Sequence, residues 1–463
     1  MAIWTPNIDN MAGTRARALV EAIRQDIAAG LLKPGDRLPP QRELAYALRL
    51  SPNTVMRAYA EATRRGYVAG AVGRGTYVRS PVEHASESMP PSLGRTDQGP
   101  VDFSLNLPFP GAGGDALAGT LASLVRGGGL CAYLDHQQGD ASARHAQAGA
   151  RWIAQSGFDA SGDNLVLTNG SQQGIFVSLM STLRPGEPLL SEALTYAPLK
   201  AMARQLGLRL VGVPMDPEGL LPDALEAACR QWSAKVLYCT PTLQTPTTAT
   251  MGEDRRRRIA RIAEACDLVI IEDDVFGALP PARPVPLAAF APDRTILVTG
   301  LSKSVAPGLR VGFVHSPEKL VQAIRSAVAV STWMPPPLMA EVASRWIEDG
   351  TAERLNQEQR AHAARRQAMA RQILAGLDVT ADPHGLHLWL SMPDWWTSDA
   401  FVAAAERGGV LVRPASAFQV SSSQASNAVR LCLSHEASDE RFAHGLRIVA
   451  GLAKSVTPHD LTV

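Results

Sequence analysis

Leu19, Val20, Ile23 and Ile27 recur at helical spacing within residues 14–29, and Gly30 follows as a stop. A turn through Pro34 and Gly35 leads to a short second helix, residues 41–48. Ser51 and Pro52 then read as an N-cap and a first helical position. The third helix runs to about Arg65, with Val55, Ala58, Tyr59 and Ala62 on one face and Asn53, Thr54, Arg57, Glu61 and Arg64 on the other. Residues 67–78 alternate around a Gly-Arg-Gly tip and read as a two-stranded hairpin. Residues 81–100 lose periodicity, are rich in Ser, Pro and Glu, and read as a linker. From residue 101, apolar runs of strand length alternate with helical patterns. The runs 165–167, 235–239, 268–271, 295–298 and 311–314 predict an α/β body with a mostly parallel sheet. After a long helical pattern at 353–374, the runs 387–390, 410–412 and 429–433 predict a smaller α+β subdomain covering about 350–463.

Charge divides the chain at the same place. Residues 1–80 carry a net +6 and the remainder −5, so a polyanion partner is expected for the head alone. The five cysteines form no CxxC pair and read as reduced thiols of a cytoplasmic protein. No metal-ligand spacing is present. No signal pattern opens the chain and no run of about 18 apolar residues is present, so no membrane association is expected.

Three short helices and a hairpin are the parts of a winged helix-turn-helix, whose second motif helix enters the DNA major groove. The same parts also suit a small protein-interaction module. The string GLLKPGDRLPPQRELA, followed by SPNTVMRAYAEATRRGYV and GRGTYV, resembles the DNA-binding head of the GntR family. That resemblance implies Arg37, Gln41, Arg42, Asn53, Thr54, Arg57 and Arg74 as DNA contacts.

In the body, Lys303 stands where the 295–298 run has just ended, before a break at Pro307 and Gly308, with Arg310 opening the next strand. A lysine so placed can be a Schiff-base nucleophile, and the arginine can hold a phosphate. Three carboxylates, Glu272, Asp273 and Asp274, end another buried run; their proximity is costly unless a cation answers them. The turn before the 172–183 helix contains Gly170 and Ser171, and a helix start favours phosphate.

The strings SKSVAPGLRVG and TNGSQQGI resemble the cofactor segments of fold-type I pyridoxal phosphate proteins, the aminotransferase superfamily. The resemblance implies that Lys303 carries pyridoxal 5′-phosphate (PLP) as an internal aldimine. It implies Arg310, Gly170, Ser171 and Gln172 on the phosphate, Asp273 on the pyridine nitrogen, Tyr196 on the ring face and Tyr133 reaching the phosphate of a second subunit. Thr245 stands where the family usually has Asn as donor to the 3′-oxygen, Phe276 where it commonly has Tyr, and Gly300 where many members have Ser or Thr. Arg430 resembles the arginine that takes a substrate carboxylate.

Head and body in this order resemble the MocR family of bacterial transcription regulators. The resemblance implies a winged-helix domain over 1–80, a linker over 81–100 and an aminotransferase-like domain over 101–463. It implies a homodimer on operator DNA that senses a small amino compound by aldimine exchange at Lys303, with transaminase activity weak or absent. A working aminotransferase carrying a DNA-binding head is the alternative.

Overall fold

A computed structural model describes residues 4–6, 8, 14–28, 31–33, 36–64, 67–71, 75–78, 99–111, 113–136, 140–282, 284–421 and 426–455. The chain divides into two compact units, Met1–Ser92 and Leu93–Val463.

The first unit contains helices α1 (Arg15–Ala28), α2 (Gln41–Ala47) and α3 (Pro52–Arg64), then strands β1 (Val68–Ala71) and β2 (Gly75–Val78). Its core gathers Leu19, Ile23, Leu44, Val55, Ala58, Tyr59 and Val68. Each fully buried aliphatic side chain of this kind contributes roughly 1.5–3 kcal/mol. Ser51 caps α3, its Oγ accepting the Thr54 amide at 3.1 Å. The Tyr59 hydroxyl donates to the Pro39 carbonyl at 2.9 Å, which ties α3 to the chain entering α2. β1 and β2 pair antiparallel from Val68↔Val78 to Ala71↔Gly75. The segment around Arg37 joins β2 as a further edge through Leu38 N to Thr76 O and Val78 N to Asp36 O, both 2.8 Å. The predicted linker, apart from residues 99 and 100, lies outside the described residues.

The second unit is built on a seven-stranded sheet. Its spatial order is Leu165–Thr168, Gly312–His315, Thr295–Gly300, Val269–Asp273, Val236–Cys239, Pro188–Glu192 and Arg209–Val213. Only Gly312–His315 runs antiparallel to its neighbours. Alternate residues of one strand feed different cores: Ile296 and Val298 pack into one cluster and Leu297 into another. Helices therefore cover both faces, which is why these strands read as continuous apolar runs.

A four-stranded antiparallel sheet, Val379–Ala381, His387–Ser391, Ala428–Cys432 and Arg413–Pro414, forms the smaller subdomain. The long Thr351–Ile373 helix leads into it. Val101–Asp102, from the start of the unit, pairs with Val410–Leu411, and Val101 and Phe103 enter the small subdomain's core. That return of the chain leaves no local pattern in the sequence.

Among the described residues, no helix is long and apolar enough to cross a membrane.

Candidate functional site

Parallel strands of an open α/β sheet present their carboxyl ends as a crevice. Here Ser171 follows Leu165–Thr168, Tyr196 follows Pro188–Glu192, Thr240 and Thr245 follow Val236–Cys239, Asp273 ends Val269–Asp273, and Lys303 follows Thr295–Gly300. These residues line a single cavity of about 230 Å³ together with Gln172, Phe276, Arg310, Arg430 and Asn106. Residues spread from 106 to 430 in the chain thus meet in one place.

Lys303 donates to the backbone carbonyl of Asn106. Its Nζ lies 5.8 Å from the centre of the Phe276 ring. It keeps partial contact with the cavity void, yet protein atoms surround its ammonium, and that enclosure governs its proton affinity. Burial lowers its pKa to about 8, and Arg430 and Arg310 act in the same direction.

Asp273 is buried, which raises its pKa to about 6. Two donors oppose the shift: the Tyr238 hydroxyl at 2.6 Å on Oδ2 and the Val275 amide at 3.3 Å on Oδ1. Tyr238 carries no signal in the sequence, because a tyrosine inside an apolar strand reads as core.

The expected cation beside the carboxylate cluster is Arg256. It lies 3.6 Å from Glu272, both side chains fully buried. Glu272 also accepts the Leu287 and Ala288 amides at 2.9 Å each.

The anion-binding end is built by close approach. Arg310 has φ +52°, and its Nη2 donates to the Asn169 carbonyl at 3.1 Å. A Cβ on Gly170, itself at φ +80°, would lie 2.7 Å from that guanidinium nitrogen, so glycine is required there. Ser171 starts the Ser171–Thr182 helix, whose first amides have no intrahelical acceptor. The Ser171 hydroxyl donates to the Thr299 carbonyl at 3.0 Å. A Cβ on Gly300 would sit 2.7 Å from that hydroxyl, so the larger residue of many relatives has no room.

Phe276 presents an apolar ring, packed at 5.7 Å from the ring of His387. His387, fully buried, joins the Asn106 amide at 3.1 Å and the Gln244 carbonyl at 3.3 Å, and burial lowers its pKa to about 3. It therefore acts as a neutral strut behind the cavity wall. Thr245 Oγ1, Asn106 Oδ1 and Arg430 Nε are buried without hydrogen-bond partners. Such orphaned atoms at a cavity wall are costly unless a ligand pairs with them.

Tyr133 is not brought to this cavity. It packs near Glu341, Arg144 and Arg345 on another part of the body. Among the described residues, no cluster of His, Cys, Asp and Glu could hold a metal ion.

In the first unit, Arg37, Gln41, Arg42, Asn53 and Arg57 are exposed. Thr54 is half-buried and its hydroxyl lies 2.8 Å from that of Ser51, so it also serves the cap. Arg74 lies outside the described residues.

The fold of the body is that of the aminotransferases. The multiple substrate aminotransferase of Thermococcus profundus superposes with a TM-score of 0.71 at 22% identity, covering 81% of this chain and 94% of that one. The family Aminotransferase class I and II matches residues 132–446, and the family Bacterial regulatory proteins, gntR family, matches residues 15–78. The HTH-type transcriptional regulator YdeF of Bacillus subtilis is 31% identical over 98% of this chain and 97% of its own. The vitamin B6 salvage pathway transcriptional repressor PtsJ of Salmonella typhimurium is 29% identical over 91% and 95%. The chain belongs to the MocR-type family, in which a GntR helix-turn-helix head is joined to an aminotransferase class I and II body. It is a transcriptional regulator, and the working aminotransferase with an incidental head is the weaker reading.

Proposed function

We propose that this regulator holds PLP in the Lys303 cavity and uses it to sense a small primary amine. The observation that carries the reading is the convergence of Lys303, Asp273, Arg310, Ser171, Gln172, Tyr196, Thr245 and Arg430 on one cavity wall. The donor set fits the cofactor. It comprises a cation and a helix start for a phosphate, a buried carboxylate for a protonated ring nitrogen, an unpartnered hydroxyl for a phenolic oxygen and an amine of lowered pKa.

Bound there, PLP supplies an electrophilic carbonyl carbon that exchanges one primary amine for another. Lys303, with a pKa of about 8, has an appreciable neutral fraction at physiological pH and would be the amine that holds the cofactor's carbonyl carbon. Asp273 holds the ring-nitrogen proton, and Tyr238 fixes the orientation of its carboxylate. Arg310, Gly170, Ser171 and Gln172 hold the phosphate end, Tyr196 covers the ring, and Thr245 donates to the 3′-oxygen. Arg430 takes the effector's carboxylate as a charge-assisted pair. Phe276 cannot donate to the 3′-oxygen, which favours capture of the amine over its further conversion.

The head over residues 1–80 binds operator DNA through Arg37, Gln41, Arg42, Asn53, Thr54, Arg57 and Arg74. The linker covers 81–100, and residues 101–463 form the sensing and dimerising body. Two copies pair, with Tyr133 serving the partner's phosphate. Effector capture shifts the body between two conformations in proportion to its differential affinity for them, and DNA affinity follows. Absorbance spectroscopy of the purified protein tests the reading. A near-visible band that Lys303→Ala removes supports it; an unchanged band in that variant sinks it.

A further inference from the structure

Arg430 does not stand alone. Its partner across the antiparallel register is Arg413, on the edge strand Arg413–Pro414. Directly opposed residues of a ladder project to the same face of the sheet, so the two arginine side chains leave it together, and Arg413 feels the charge of Arg430. Arg430 lines the Lys303 cavity, and Arg413 stands next to it in the sheet, outside the residues that line the cavity.

Like charges in directly opposed positions destabilise a sheet unless something answers them. Little in the protein does so. Arg430 is 8% exposed; its guanidinium lies 4.8 Å from the centre of the Phe418 ring, its Nη2 donates to the neutral Ser104 carbonyl at 2.6 Å, and its Nε has no partner. Arg413 is half-buried, and its side chain makes no hydrogen bond or ion pair among the described residues. Burial, followed by the charge of Arg430, lowers its pKa, yet a guanidinium remains protonated.

Other groups near Arg413 give little relief. Burial raises the pKa of the Cys432 thiol, keeping it neutral. The Asp102 carboxylate is close enough to be felt by Arg413, but its Oδ1 already accepts the Ser104 amide at 2.7 Å. Lys303 and Arg310 add positive charge around the cavity, against Asp273.

We propose that Arg413 and Arg430 form a recess for two negative charges, and that the amine sensed in this cavity is an amino dianion. It carries one carboxylate and, a few bonds away, a second carboxylate, sulfonate or phosphonate. An anionic group beside each guanidinium turns the cross-strand repulsion into two charge-assisted pairs. A monocarboxylate can answer only one of them. The inference rests on the Lys303 cavity being the effector site, and Arg413 is its new specificity-determining residue.

The test is calorimetric titration of the full chain, loaded with PLP, against glutamate and glutamine and against aspartate and asparagine, each as both enantiomers. Acid and amide have nearly the same shape and differ by one charge. In the wild type, the acid of at least one pair should bind tenfold or more tightly than its amide. Arg413→Gln should bring that ratio to within twofold, and Arg413→Lys should restore part of it. The ratio is the readout, so a uniform loss of affinity from local misfolding does not imitate the result. Arg413→Gln should also raise the melting temperature of the ligand-free protein, because it relieves repulsion; a merely structural arginine would lower it on removal.

The proposal is overturned if no acid outbinds its amide in the wild type, or if the preference survives in Arg413→Gln. Absorbance in the same samples reads the cofactor assignment separately. A colourless protein that keeps the preference sinks that assignment and keeps the recess. A coloured protein without the preference does the reverse.

Discussion

Tyr238 donates a 2.6 Å hydrogen bond to Oδ2 of Asp273, both buried, from the neighbouring strand of the main sheet. Parallel register opposes Tyr238 to Ile271, and Asp273 lies two residues further along the same face. The phenol therefore reaches forward to fix one carboxylate oxygen. The Val275 amide is on the other at 3.3 Å, too long to be a strong competitor for a ligand.

Removing that donor should raise the Asp273 pKa above its present value of about 6, because the Tyr238 bond is the largest influence opposing burial. Tyr238→Phe should leave more of the carboxyl protonated at neutral pH and weaken its hold on a cationic ring nitrogen. The PLP dissociation constant should rise on the order of tenfold at pH 7.5, a loss of about 1.4 kcal/mol. Equilibrium dialysis across pH measures it. Unchanged affinity at every pH would show that the bond does not position Asp273.

Thr245 offers a contrast between stability and binding. Its hydroxyl is buried without a partner, so Thr245→Val should cost the cofactor-free protein little or stabilise it slightly. The same change should weaken PLP binding, about 1 kcal/mol for one lost hydrogen bond. Melting curves with and without the cofactor check both signs. A large loss of stability without cofactor would mean that Thr245 serves packing.

The cofactor-free body should lose stability through Glu192 between about pH 4.5 and 8. Burial raises Asp273 from 3.8 to about 6 and Glu192 from 4.5 to about 8. Groups with raised folded pKa values stabilise below their unfolded values and lose that contribution as pH rises through the folded ones. Lys303 is lowered from 10.5 to about 8, so its contribution is present above 10.5 and is lost as pH falls through 8. His387, lowered from 6.5 to about 3, opposes this fall below pH 6.5, and the buried thiols of Cys229, Cys239 and Cys432, raised by burial, oppose Lys303 above pH 9, so the effect is read as a difference between wild type and Glu192→Gln. Urea titrations should show the wild type losing stability relative to Glu192→Gln as pH rises from about 4.5 to 8. A difference between the two proteins that stays constant across that range would contradict it.

Most elements, and most of the candidate site, were legible in the sequence because they end on local signals. Ser51 and Pro52 mark the start of α3, and Lys303 and Asp273 stand where apolar runs stop. Tyr238 was hidden because its partner is 35 residues away on another strand and its own strand is wholly apolar in pattern. Asn106 and Arg413 gave no signal, since their meaning comes from chain return and register: Val101–Asp102 runs beside Val410–Leu411, and Arg413 lies opposite Arg430. Gly300 is a departure whose reason only packing supplies, the Ser171 hydroxyl already filling the space.

Arg57 is exposed on α3. If it reads a base, Arg57→Ala should cost about 1–3 kcal/mol of operator affinity and relax sequence preference. If it meets phosphate, binding should weaken on all sequences and the salt dependence should flatten. The near-visible band should not change in either case. Equal affinity and preference at every salt concentration would remove Arg57 from the interface.

The most direct measurement of the central claim couples the two ends of the chain. Operator DNA affinity of the PLP-loaded protein is followed by fluorescence anisotropy while an amino compound that shifts its visible band is titrated in. For the wild type, DNA affinity should change severalfold over the same concentration range as the band. Lys303→Ala should bind DNA with no response to that compound. An equal response in Lys303→Ala, or a spectral shift in the wild type with no change in DNA affinity, would contradict the account.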